Sequence, residues 1–126
     1  MFINSVTVLK QLTVAMALSV IGTQALAAGA LAIDGHQGGH FGFASNLASI
    51  DKAEQKAMKD CGIGCQVVLR FEKGCGAYAA DQSSESKAYG WGALNTMAES
   101  QARAMASCEA RGGKQCKVQA SGCNKG

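Results

Sequence analysis

The chain has 126 residues, 48% of them hydrophobic and 17% charged, with 16 glycines, six cysteines, no proline and a formal net charge of +3. That length fits one domain of ordinary size. The composition excludes collagen, a coiled coil and a disordered acidic tail, and so small a charge with no basic run is a solvated surface, not a nucleic-acid footprint.

The first segment carries one cation, Lys10, followed by an apolar stretch over residues 12–21 that only Thr13 and Ser19 interrupt. Small residues follow and end in Ala25-Leu26-Ala27. This is the pattern of a secretory signal peptide over residues 1–27 with an A-x-A cleavage site. It is shorter than the roughly 20 apolar residues that a bilayer span needs. No second apolar span follows, so the expected mature chain, residues 28–126, carries no membrane span. It is expected in the periplasm or the medium.

Within the mature chain, residues 30–33 and 41–44 read as short strands. A helix is predicted over 50–61, where Ile50, Ala53, Ala57, Met58 and Cys61 form one stripe at helical spacing. Ser49 is its expected N-cap and Gly62 the residue that ends it. A third strand is predicted over 66–71, with Val67, Leu69 and Phe71 on one face. The later helix, 96–108, repeats the stripe with Met97, Ala104, Met105 and Cys108 behind Asn95 as cap.

This repetition is general. Gly29-Ala30-Leu31-Ala32-Ile33-Asp34 falls on Gly76-Ala77-Tyr78-Ala79-Ala80-Asp81 with four of six identical. Phe41-Gly42-Phe43 falls on Tyr89-Gly90-Trp91, Ala57-Met58 on Ala104-Met105, Cys61 on Cys108 and Cys65-Gln66-Val67 on Cys116-Lys117-Val118. Two copies are too few for a solenoid. The expected fold is therefore α+β, a single small disulfide-bonded domain of two pseudo-symmetric β-β-α-β repeats, about 29–75 and 76–123.

Export makes an even cysteine count a disulfide framework. Zinc and dithiol redox chemistry both lack the C-x-x-C they need. Six cysteines allow 15 pairings, but the duplication selects among them. Cys61–Cys65 and Cys108–Cys116 clamp each helix to its next strand. Cys75 and Cys123 remain as symmetry mates whose bridge is expected to tie the two halves together.

Gly29-Ala30-Leu31-Ala32, Phe41-Gly42-Phe43, Ala53-Glu54 with Ala57 and Cys61, Cys65-x-Val67, Cys75-Gly76-Ala77-Tyr78-Ala79, Tyr89-Gly90-Trp91-Gly92 and the closing Cys108, Cys116 and Cys123 together resemble the DUF4189 family, small exported bacterial proteins of unknown function. The resemblance runs from about residue 29 to 123. It implies an exported bacterial domain and brings no catalytic residues. The chain departs from the pattern in the loop 35–40 and at Ser100-Gln101, where the motif has Ala-Glu.

Candidate chemistry is sparse. His36 and His40 share a glycine-rich loop with Asp34; the loop reads as a polar connection, with a weak open metal site as the alternative. Phe41 with Phe43, and Tyr89 with Trp91, straddle a glycine at period two and read as core, Trp91 being the one suited to an exposed stacking role. Glu54 lies at the edge of the apolar stripe of the first helix, and its mate Gln101 cannot ionise, so paired-carboxylate catalysis has no support. No Ser-His-Asp or Cys-His set survives. The sequence thus points to a non-enzymatic envelope protein without cofactor or metal that binds an unidentified protein partner in an inhibitor or immunity-like role. The alternative is a glycan, wall-polymer or metal binder using Tyr89, Trp91, His36 and His40.

Overall fold

The computed structural model describes residues 27–35 and 39–125. The expected signal peptide, apart from Ala27, and His36 lie outside the described residues. The elements follow in the order β1 (Ala28–Asp34), β2 (Phe41–Leu47), α1 (Ile50–Cys61), β3 (Cys65–Phe71), β4 (Cys75–Asp81), β5 (Tyr89–Leu94), α2 (Met97–Ala110) and β6 (Cys116–Cys123). Each half is a three-stranded antiparallel sheet with its first strand in the middle, ordered β2-β1-β3 and β5-β4-β6.

Side-chain size sorts the layers. Successive residues of a strand face opposite sides. Ala28, Ala30 and Ala32 meet Ala53, Ala57 and Cys61 of α1, and Ala77 and Ala79 meet Ala104 and Cys108 of α2. Leu31, Ile33 and Tyr78 face the other way, into a third core that joins the two sheets. The order is helix, sheet, sheet, helix. The helices lie close because the strands beneath them carry small residues. A Cβ added at Gly42 would stand 1.9 Å from the Ala57 carbonyl oxygen, and one at Gly90 would stand 2.5 Å from those of Ala104.

The helix ends follow from local chemistry. Ser49 Oγ accepts from the Lys52 N–H at 3.1 Å, and Gly62 ends α1 at φ 101° while its N–H returns to the Met58 carbonyl. The second cap is Thr96, one residue past the expected Asn95. Its Oγ1 accepts from the Glu99 N–H at 3.1 Å, which places the acid in the first turn where the helix dipole favours it.

Two expectations need correction. The alternation in β3 is interrupted: Leu31 pairs with Leu69 but Ala32 with Val67, so Val68 is a bulge residue. Val67 packs with α1, whereas Val68 and Leu69 both turn to the inter-sheet core. β6 bulges at the equivalent place, between the partners of Tyr78 and Ala79. The second correction concerns a bridge. The pairs are Cys61–Cys65, Cys75–Cys123 and Cys108–Cys116, as the duplication indicates. Cys75, however, opens β4 and Cys123 closes β6, and the two are direct partners in one antiparallel ladder. This bond locks the second sheet and does not span the halves.

Packing and hydrogen bonds join the halves instead. The Phe71 ring lies against both Gly29 and its mate Gly76. Asn46, in the left-handed region at φ 61°, clasps the chain end: its N–H donates to Asn124 Oδ1 at 2.6 Å and its Oδ1 accepts from the Lys125 N–H at 3.0 Å. Asn124 Nδ2 donates in turn to the Phe71 carbonyl at 3.0 Å. Asparagine suits the left-handed position because its short side chain bonds locally.

Candidate functional site

Where the two halves differ, the difference is not required by the shared fold. Three such places stand out on the surface.

The first is the connection from α1 to β3. Cys61 and Cys65 are four residues apart and bonded, so Gly62-Ile63-Gly64 is held in a small covalent ring. Both glycines have positive φ, 101° and 85°, a region that other residues enter at a cost. They present Ile63 outward, fully exposed at 101% relative accessibility. Beside it runs an open groove of about 520 Å³ between α1 and β3, lined by Glu54, Met58, Cys65, Val67 and Arg70 among others. Arg70 pairs with Glu54 across it. In the second half the corresponding span is bridged without charge, Gln101 Nε2 donating to Ser121 Oγ at 3.0 Å. The Ser100 departure is also structural: its buried hydroxyl donates to the Cys75 carbonyl and accepts from the Leu94 N–H, both at 2.9 Å.

The second place is the outer edge of β5. Tyr89 and Trp91 lie side by side, centroids 5.9 Å apart and planes within 14°. The Arg111 guanidinium covers them, 4.8 Å from the Tyr89 centroid and 5.4 Å from that of Trp91. Like their mates Phe41 and Phe43, both rings are half-buried against the inter-sheet core; Phe41 meets Tyr78 at 5.0 Å and Phe43 meets Phe71 at 6.0 Å. Tyr78 is fully buried, and burial first, then the charge of Asp34 and the neighbouring Tyr89, pushes its hydroxyl pKa well above the ordinary 10.0.

The third is the end of each central strand. Asp34 Oδ2 accepts from the His40 N–H and lies 3.1 Å from His40 Nδ1. Among the described residues no group of three metal-ligating side chains forms. Its mate Asp81 accepts from the Ser83 N–H and hydroxyl and from the Lys114 and Gln115 N–H groups, at 2.9–3.2 Å. The Ser86 hydroxyl and then the Ser83 N–H are the main causes that hold its carboxyl far below the ordinary 3.8, against the opposing effect of desolvation.

A depressed folded pKa means stability that is present in full above the unfolded value and is lost as pH falls through the folded one. The melting temperature of protein of residues 28–126 is therefore expected to decline below about pH 4. Asp81→Asn is expected to melt lower at pH 7 and to show a shallower acid branch, because the amide cannot accept at both oxygens. Melting curves from pH 2 to 7 check this; parallel curves for the two proteins would refute it.

Sequence reasoning did not single out Ile63, Arg70 or Arg111. The Cys-Gly-Ile-Gly-Cys spacing carries a readable signal for the first. The other two make contacts across elements, which no local pattern encodes.

Residues 28–123 match the family described as a domain of unknown function, DUF4189. No curated protein and no solved structure matches the chain.

Proposed function

The chain belongs to the DUF4189 family, and we propose that this member is an exported, non-catalytic module that binds a protein partner in the bacterial envelope, in an inhibitor or immunity-like role. The observation that carries this reading is Ile63. A fully exposed isoleucine at the tip of a covalently closed ring is an anchor whose ordering cost has been met before binding. Burying such a side chain in a partner's apolar pocket is worth about 1.5–3 kcal/mol. The groove beside it supplies Met58 and Val67 for further apolar contact and the Arg70–Glu54 pair for orientation.

Export is supported by three disulfides in a domain of this size, bonds that persist in oxidising compartments. No helix among the described residues is long and apolar enough to cross a membrane.

The test is crosslinking capture by tagged protein of residues 28–126 from envelope extracts and culture medium, run beside Ile63→Asp. One saturable protein partner is expected, bound at least tenfold more weakly by the variant, a loss of about 1.4 kcal/mol or more. The melting temperature is expected to be unchanged, since Ile63 makes no packed contact to lose. No partner, or a partner retained equally by Ile63→Asp, would remove the proposal.

A further inference from the structure

A second surface points to a different ligand chemistry. The Arg111 backbone is pinned where α2 ends: its N–H returns to the Cys108 and Ser107 carbonyls at 3.1 and 3.3 Å, and the Cys108–Cys116 bridge lies next to it. From that fixed point the side chain folds over the rings of Tyr89 and Trp91. Both centroids lie within the roughly 6 Å at which a guanidinium is attracted to an aromatic face. The near-parallel rings give it two aromatic neighbours at once.

Stacking of this kind fixes the plane of a guanidinium and leaves its N–H edge free, and that edge is a fork matched to a carboxylate. Among the described residues Arg111 has no ion-pair partner. An arginine recruited only to hold the fold would be expected to use that edge on a neighbour, as Arg70 does with Glu54. The fold also builds its first half without any counterpart. There the equivalent rings, Phe41 and Phe43, are half-buried against the same inter-sheet core, but the equivalent loop carries Gly62, Ile63 and Gly64 with no cation.

We propose that Arg111, Tyr89 and Trp91 form a binding site for a carboxylate borne by a small ligand, either an acidic sugar or a peptide with a free carboxylate. The carboxylate takes the outward N–H pair of Arg111, and the exposed ring margins receive the apolar part of the ligand. This site is separate from the Ile63 ring and does not depend on it.

Trp91 is the only tryptophan of the chain, so its fluorescence reports on this site alone. Folded protein of residues 28–126 is titrated with N-acetylmuramic acid, with N-acetylalanine and with neutral N-acetylglucosamine at constant ionic strength, followed by fluorescence and by calorimetry. A saturable response to at least one carboxylate is expected, with none to the neutral sugar, and the carboxylate that saturates identifies the source. Arg111→Gln is expected to weaken that response at least tenfold, and Arg111→Lys, which keeps the charge but loses the fork, to fall between. The proposal is overturned if neither method shows saturable binding of either carboxylate up to about 10 mM, or if the neutral sugar or Arg111→Gln gives the same response.

Discussion

Replacing both Cys75 and Cys123 by alanine is expected to lower the stability of the domain by about 4 kcal/mol, a fall of roughly 15–30 °C in melting temperature. The size follows from loop length. This bridge has a sequence separation of 48, against 4 for Cys61–Cys65 and 8 for Cys108–Cys116. In the loop-entropy account the longer closure removes more freedom from the unfolded chain, and the two short bridges are worth about 2–3 kcal/mol each. The two cysteines already face each other as ladder partners in β4 and β6, so the folded sheet retains its hydrogen bonds when the bond is removed. The loss therefore falls on the unfolded state. Chemical denaturation of Cys75→Ala/Cys123→Ala beside Cys61→Ala/Cys65→Ala checks the ranking. A smaller loss for the long bridge would show that entropy of closure does not govern this domain.

The second large effect is expected at the glycines under the helices. Gly42→Ala would place a methyl group 1.9 Å from the Ala57 carbonyl oxygen and 2.8 Å from the Cys61 nitrogen. Both are backbone atoms of α1, so no side chain can rotate away and the helix itself must lift from the sheet. Overpacking typically costs about 1–3 kcal/mol, and this position belongs at or above the top of that range. Gly90→Ala meets the backbone of α2 at Ala104 and Cys108 at 2.5 Å and is expected to behave alike. Gly39→Ala, which has open space around it, serves as the control with little effect. Equal melting temperatures for Gly42→Ala and Gly39→Ala would contradict the close approach of helix and strand.

These two glycines also show how legible the fold is in the sequence. Phe41-Gly42-Phe43 and Tyr89-Gly90-Trp91 announce strands with a large face and a bare one, and the structure uses each face for a different neighbour. Tyr89 and Trp91, proposed from sequence as a binding pair, stand on edge strand β5 and, like Phe41 and Phe43 on edge strand β2, pack against the inter-sheet core; the Arg111 guanidinium is what sets them apart. His40 is engaged by Asp34 within its own loop. Glu54 lies at the side of α1 as its helical angle indicates, but its partner Arg70 comes from a strand that sequence cannot align with it to within a residue. The Val68 bulge decides which side of β3 Arg70 occupies, and a bulge leaves no mark in a run of apolar residues.

The two helices with the first one's boundaries, the two-fold duplication and the choice of cysteine pairs were determined by the sequence alone. Periodicity and capping chemistry mark the helices, and self-similarity along the chain gives the duplication and, through it, the cysteine pairs. The tertiary structure alone decided that Cys75–Cys123 belongs to one sheet, that Ile63 stands beside a groove and that Arg111 lies over Tyr89 and Trp91. Those relations depend on the antiparallel direction of the strands and on how far each helix overhangs its sheet. Both are set by the packing of whole layers against one another, and no window of sequence contains them.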